Sequence, residues 1–261
     1  MTDQKPLFKF GENWASFSES ADEATLIAAR NSLEHLLGTG TLDGKSFLDI
    51  GCGSGFFSIA AAQLGANPVI GVDIDTDSVE TSQRNAARWA PEQDFRFGLA
   101  SALKKDEMDA LGTFDLVYSW GVLHHTGNMA LALEHTIARV KPGGTLVIAI
   151  YNRHITSPAW VVIKRVYNAL PRWGQKALIW AFTPIIFLAK LIATRQNPLK
   201  MGRGMDFMHN VIDWLGGYPY EYASIPEMET KLTHHGLLMH KSLPARVPTG
   251  CNEFVCTKPD N

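Results

Sequence analysis

The nine residues Phe47-Leu-Asp-Ile-Gly-Cys-Gly-Ser-Gly55 carry an apolar strand into a turn with glycine at every second position. Eighteen residues beyond Gly55, a second apolar stretch, Val69-Ile-Gly-Val-Asp73, ends in an acid. Glycine lets the backbone turn tightly and approach a ligand with no Cβ in the way. A carboxylate at the end of the next strand can accept two hydrogen bonds from a ribose diol. A chain built this way is committed to an α/β sheet with a nucleoside-bearing cofactor at the strand ends. The spacing is G-x-G-x-G (Gly51, Gly53, Gly55), preceded by Asp49, and not the G-x-G-x-x-G that seats a pyrophosphate on a helix N-terminus.

The rest of the chain alternates helical and strand patterns. Ala21 to Leu37 has helical apolar spacing at Leu26, Ala29, Leu33, Leu36 and Leu37, with Gly38 as a stop. Phe56 to Leu64 reads as the first crossover helix, Pro68 to Asp73 as strand 2, and Thr76 to Trp89 as a helix that Asp75 or Thr76 can cap. Strand 3 is Phe95 to Leu99, a helix lies around Lys104 to Leu111, and strand 4 is Phe114 to Ser119. A helix over about Met129 to Val140 leads to strand 5 at Thr145 to Tyr151. After Asn152 the rhythm breaks, to resume with a helix near Ile225 to His235 and strands at Leu237 to Ser242 and Glu253 to Thr257. Alternation at this spacing means a doubly wound parallel sheet.

Two further motifs fall in order behind the glycine turn and Asp73: Phe114-Asp-Leu-Val-Tyr-Ser-Trp-Gly-Val-Leu-His-His125 and Lys141-Pro-Gly-Gly144. Together the four signals resemble the class I S-adenosylmethionine-dependent methyltransferases, over roughly Phe47 to Asn152 and more weakly over the C-terminal β-α-β-β tail. The resemblance implies a single α/β methyltransferase domain over 1–261, a doubly wound, Rossmann-like, seven-stranded sheet whose last strand runs antiparallel between strands 5 and 6. It makes 153–220 a helical cap inserted at the ligand-facing edge, between strand 5 and the following helix, and 1–20 a lid. The cofactor it implies is S-adenosyl-L-methionine. Asp49 and the turn Gly51, Cys52, Gly53 and Gly55 would then hold its amino-acid end, Asp73 its ribose, and Ile74 would lie against adenine. Ser101, followed by Ala102, stands roughly where many family members carry an acid for the adenine amine, and Ser119 and Trp120 would line the wall near the methionine moiety.

Methyl transfer from a sulfonium is an in-line displacement that needs alignment and exclusion of water, and it requires no metal. The first candidates for a general base are His124 and His125, because imidazole titrates near neutral pH; a backbone-bonded imidazole is the plainer reading. His154, just past strand 5, and His209 in the insertion are further candidates. Acceptor-side candidates are Trp14, Tyr151, Asn152, Arg203, Asp213 and Tyr218. The segment Phe8 to Phe17 carries four aromatics with little helical periodicity and reads either as a lid or as a sheet-packing arm.

Net charge is −2, with 24 basic and 26 acidic residues, so no overall field favours nucleic acid. Three cysteines, Cys52, Cys251 and Cys256, show neither disulfide pairing nor metal-ligand spacing. The first residues lack the apolar core of a signal peptide, so a cytoplasmic location is expected. Ala177 to Ala189 is an apolar run of thirteen residues interrupted by Pro184, against about 20 needed to span a membrane. Ringed by Lys164, Arg165, Arg172, Lys176, Lys190 and Arg195, it reads as a buried cap or dimer contact, or as a peripheral membrane contact like that of the ubiquinone-biosynthesis O-methyltransferases, to which the chain is distantly similar. The expected function is methylation of oxygen or sulfur on a small-molecule acceptor, with S-methylation of a small thiol as a narrower form. A catalytically silent cofactor-binding module and a nicotinamide-dependent oxidoreductase are the rivals; oligomeric state stays open.

Overall fold

The computed structural model describes Phe8, residues 10–199 and residues 207–260. Seven strands form one sheet: β1 (Phe47–Ile50), β2 (Val69–Asp73), β3 (Phe95–Leu99), β4 (Phe114–Trp120), β5 (Val140–Tyr151), β6 (Leu238–Leu243) and β7 (Cys251–Thr257). Their order is β3-β2-β1-β4-β5-β7-β6, parallel through β5, with β7 antiparallel to both neighbours. The doubly wound sheet expected from the alternation is therefore present, and so is the reversed last strand. The order reverses beside β1, which places the β1 turn at the crevice where open α/β sheets bind ligands.

Central strands read as unbroken apolar runs because both faces are covered. One face packs α5 (Lys105–Asp109), α6 (Met129–Ile137) and α10 (Ile225–His234) through Met108, Leu133, Ile137, Met228 and Leu232. The other packs α2 (Glu23–Leu37) and α3 (Phe56–Gln63) through Leu33, Leu36, Ala60 and Ala61, with α4 (Thr76–Trp89) alongside. Local chemistry agrees with these elements. Asp22 and Thr25 exchange capping bonds at the start of α2, and Ser224 and Glu227 do so at α10.

Three segments depart from expectation. Lys141-Pro-Gly-Gly144 joins β5 instead of preceding it, since Gly143 donates to the Lys258 carbonyl at 2.8 Å and Lys258 to that of Gly144 at 2.9 Å. The N-terminal aromatic segment is helical: α1 (Phe10–Ser20) places Phe10, Trp14 and Phe17 at i, i+4 and i+7, so the periodicity was there, and Phe17 meets Phe56 edge-on at 5.9 Å.

The third departure is the insertion. It forms α7 (Ser157–Ala169), α8 (Arg172–Thr194) and α9 (Phe207–Gly216) around a small core of Tyr167, Ile186, Phe207, Val211 and Leu215. The apolar run does not stop at Pro184; α8 is one helix of 23 residues, long and apolar enough to cross a membrane by length and composition. Helix α8 packs against the rest of the insertion by one face only. Leu178, Ile179, Phe182 and Ile186 pack inward, while Trp173 and Trp180 are 75% and 81% exposed and Ile185 and Ile192 also face out.

Candidate active site

All three turn glycines have positive φ (76°, 56° and 77° at Gly51, Gly53 and Gly55), a region that penalises any other residue. The turn is pinned by Gly51 and Cys52 N–H groups donating to the Val72 carbonyl at 2.7 and 3.0 Å. A second pin is the Asp73 carboxylate, which accepts from Gly53 N–H and Asp75 N–H, both at 3.0 Å. Sequence-distant Asp73 and Gly53 are thus one unit. Burial raises Asp73 to about 6 despite those bonds. Asp49, on β1, is 3% exposed and accepts from Ser58 Oγ at 2.7 Å; burial first, and the Asp73 charge further on, bring it to about 7. Two carboxyls that resist ionisation side by side are poised for a ligand that brings positive charge or hydroxyl donors. Cys52 is buried, its thiol pushed up by burial, with Sγ 3.5 Å from Ser82 Oγ; it fills space. Ile74 is 49% exposed at the mouth.

Helix α1 lies across this turn. A Cβ built on Gly53 would stand 3.3 Å from the Trp14 ring, so indole and glycine backbone face each other. On the turn side, Gly11 N–H donates to Asp75 Oδ2 at 3.1 Å and Ser18 Oγ to Asn85 Oδ1 at 2.7 Å. On the insertion side, Asn13 Nδ2 donates to Asp213 Oδ1 at 2.7 Å and His209 Nε2 lies 3.1 Å from Ser16 Oγ. The same short helix touches the α4 start beside the glycine turn and the inserted helix α9.

Beyond β4, the turn Leu123–His125 buries both candidate bases. His125 Nδ1 pairs with the Pro219 carbonyl at 2.7 Å, which places the proton on Nδ1 and the lone pair on Nε2. Burial, followed by the Lys164 charge, lowers His125 to about 3. His124 is fully buried and held well below the usual imidazole range by burial; its Nδ1 accepts from Tyr151 N–H at 3.3 Å, leaving the proton on Nε2. Around them stand Tyr151, with ring centroids 4.0 Å from His124 and 5.4 Å from His125, and Phe10 of α1, 4.9 Å from His125. Asp213 of α9 is raised to about 7 by burial.

The sequence did not single out Lys164 or Asn13 for this site. Lys164 is wholly buried, donates to the Trp214 carbonyl, and lies 4.9 Å from the Trp214 and Tyr220 ring centroids. A helical reading of α7 would have found it, because Lys164 shares a face with Trp160 and Tyr167.

Other candidate residues have protein partners of their own. Ser101 is buried with its N–H on Glu107 Oε2 at 2.8 Å, and the Ala102 carbonyl pairs with His135 Nδ1 at 2.8 Å. Ser119 Oγ ties β4 to the Ile50 carbonyl at 3.0 Å, and Trp120 Nε1 donates to Glu253 Oε1 of β7 at 2.6 Å. Asn152 bridges to the Pro248 carbonyl and to Asn252. His154 Nδ1 lies 2.9 Å from Thr156 Oγ1 at the start of α7, and the Tyr218 hydroxyl accepts from Arg165 Nε at 2.9 Å. Arg203 lies outside the described residues.

Comparison with known proteins agrees with this architecture. The ubiquinone biosynthesis O-methyltransferase of Brucella ovis is 36% identical over 132 residues, 51% of this chain and 50% of that protein, so the chain spans about half the length of the curated relatives it matches. Among solved structures, the magnesium protoporphyrin IX methyltransferase of Synechocystis PCC 6803 with bound SAH has a TM-score of 0.55 at 16% identity, over 89% of this chain and 84% of that one. A SAM-dependent methyltransferase from Aquifex aeolicus gives 0.53 at 13% identity, over 93% and 97%. A family model described as a methyltransferase domain matches residues 42–180, from before the glycine turn into α8. With that match over more than half its length, the chain belongs to the methyltransferase domain family.

Proposed function

We propose that the chain transfers a methyl group from S-adenosylmethionine to the oxygen or sulfur of a small-molecule acceptor. The observation that carries this is the Asp73–Gly53 unit: a carboxylate preset by two backbone N–H groups above a glycine turn, faced by an indole and roofed by a helix. The residues fit the cofactor, since no Cβ obstructs the turn and the adjacent carboxyls suit a ribose diol and a cationic amino-acid end. When bound, S-adenosylmethionine supplies an electrophilic methyl on a sulfonium. Asp73 would bind the ribose, Asp49 and the turn would hold the amino-acid end, and Trp14 and Phe10 would exclude water. Family membership sets aside the nicotinamide reading.

His125 offers Nε2 to the acceptor but is a weak base. Taking a proton from a phenol of pKa about 10 with a base at about 3 is uphill by about 1.4 kcal/mol per unit, about 9–10 kcal/mol in all. This supports acceptors that ionise readily, such as a thiol or an acidified hydroxyl, with alignment supplying most of the acceleration. Transfer of labelled methyl from S-adenosylmethionine across phenols, hydroxy acids, quinols and thiols tests the reading. Binding of S-adenosylhomocysteine with no transfer to any class would favour a silent module; no binding would refute the cofactor assignment.

A second reading concerns location. From Arg153 to Met205 the sequence has no Asp or Glu, although the whole chain is net acidic. Along this stretch Trp173, Trp180, Ile185 and Ile192 of α8 face outward. Exposed tryptophans among cations suit an anionic lipid surface, with the helix lying on it by its outer face. Wild-type protein should co-sediment with phosphatidylglycerol vesicles and the Trp173→Ser/Trp180→Ser variant should not; absence of wild-type binding would sink this reading. Phe187, which packs on Phe207 at 5.7 Å, is unsuitable for the test because its loss would disturb the cap.

A further inference from the structure

Lys164 is a charged group wholly buried in the fold. It projects from α7 into a wall of rings, with Nζ 4.9 Å from the Trp214 and Tyr220 centroids and 5.8 Å from that of Tyr151. No carboxylate among the described residues lies within ion-pair distance of it. Its hydrogen bond goes to the Trp214 carbonyl, which uses one of three donors. The rings offset part of the cost of burying an ammonium, but a buried cation whose nearest carboxylate, Asp213, lies beyond ion-pair distance is still costly, and a methionine would fill the place at less expense.

A second group nearby has the same unmet need. With Nδ1 of His124 accepting from Tyr151, the Nε2 proton points into the interior and has no acceptor. His124 and Lys164 both lie against Tyr151, the former at 4.0 Å between ring centroids. Among the described residues, the carboxylate that acts on Lys164 is Asp213, which is held by Asn13 of α1. Beyond the β4 and β5 ends, two N–H donors of Lys164 and the Nε2 proton of His124 therefore have no hydrogen-bond partner among the described residues, and Asp213 stands outside ion-pair distance of Lys164. Burial brings Lys164 down to about 7, and an arriving anion would restore its full charge.

We propose that Lys164, with the Nε2 proton of His124, binds a carboxylate of the methyl acceptor, so that the enzyme's substrates are small acids carrying the nucleophile elsewhere on the molecule. The inference rests on the methyltransferase reading above and narrows its substrate class. Lys164 is a binding and specificity residue, not a base. Its neighbours explain how it would act: the acid anchors against α7, and the far end of the acceptor extends past Tyr151 toward His125 and the glycine turn. The carboxylate could in principle come from the cofactor's own methionine end, and the experiment separates the two.

The test uses full-length protein with S-adenosylhomocysteine and two matched probe pairs, 3,4-dihydroxybenzoate against 3,4-dihydroxybenzamide and 3-mercaptopropionate against its amide, measured by calorimetry. In at least one pair the acid should bind wild type more than about tenfold tighter than the amide, as a charge-assisted contact requires. Lys164→Met should abolish that preference with S-adenosylhomocysteine affinity unchanged, and Lys164→Arg should retain part of it. Should Lys164→Met fail to fold, His124→Phe provides the second variant, losing affinity for the acid and not for the amide. Equal binding of acid and amide in both pairs, no binding of either acid, or loss of S-adenosylhomocysteine affinity in Lys164→Met would overturn the proposal. The last result would assign Lys164 to the cofactor's carboxylate. Failure of the underlying reading looks different: wild type would not bind S-adenosylhomocysteine at all.

Discussion

Affinity for S-adenosylhomocysteine should depend steeply on pH, because both cofactor-side carboxyls resist ionisation in the ligand-free protein. Burial raises Asp73 to about 6 and Asp49 to about 7. A ribose diol donates to a carboxylate, and a cationic amino-acid end favours an ionised Asp49, so the complex holds both in the charged form. Below its free pKa each must lose a proton before the ligand binds. Between pH 8 and pH 5, a group at about 6 weakens binding about tenfold and a group at about 7 about a hundredfold. The two together give about a thousandfold, or about 4 kcal/mol. The sign follows from linkage: the free protein holds more protons than the complex, so affinity rises with pH and levels off above the higher pKa. Calorimetry at pH 5, 6, 7 and 8 in two buffers of different ionisation enthalpy would report the dissociation constant and the protons released. Asp73→Asn should remove its tenfold share of the pH dependence. A dissociation constant that stays flat over the range, with no proton release, would refute both the burial of these carboxyls and their place in the site.

Three further outcomes follow from named contacts. Asp73→Ala should weaken S-adenosylhomocysteine binding at pH 8 by roughly 1.5–3 kcal/mol, the loss expected for charge-assisted hydrogen bonds, with the fold checked by circular dichroism. Asn13→Ala, which cuts α1 from Asp213 while leaving Trp14 in place, should speed cofactor release in stopped-flow fluorescence without changing the melting temperature much. Leu33→Ala, at a fully buried position beneath the sheet, should cost about 2–5 kcal/mol of stability in urea unfolding and leave the per-molecule affinity for cofactor intact.

The sheet was legible in the sequence because its signals are local and strong. Apolar runs of strand length, glycines at alternate positions and an acid at the end of the second run each carry a physical requirement, and each is met at the residue expected. The helix at Phe10–Ser20 was not legible as such. Its aromatics alternate with Gly11, Asn13 and Ser16, residues of modest helix propensity, and what holds the helix is tertiary: Gly11 on Asp75, Asn13 on Asp213, Ser18 on Asn85. Ser119 and Trp120 illustrate a different limit. Position at a strand end brings a residue to the ligand edge, but which way its polar atom is drawn depends on neighbours far along the chain, here Ile50 and Glu253.

The insertion resisted reading for a reason that bears on function. Lys164 and Arg165 are adjacent in sequence and both belong to the ring of cations around the apolar run. A helix turns about 100° per residue, so two neighbouring cations need not share surroundings. Arg165 reaches the Tyr218 hydroxyl, whereas Lys164 is wholly enclosed. Sequence shows how many charges a segment has, and only packing shows which of them are left without a counter-charge. On the proposals above, the cofactor half of the site would be made from the glycine turn and Asp73. The acceptor half would be made from one buried lysine, one imidazole with an unused proton and the rings between them, all on or against the insertion. Selectivity among acceptors is therefore expected to vary with α7 and α9 while the turn and Asp73 stay fixed. Grafting changes into α7 at Lys164 should alter which acids bind before it alters how tightly the cofactor does.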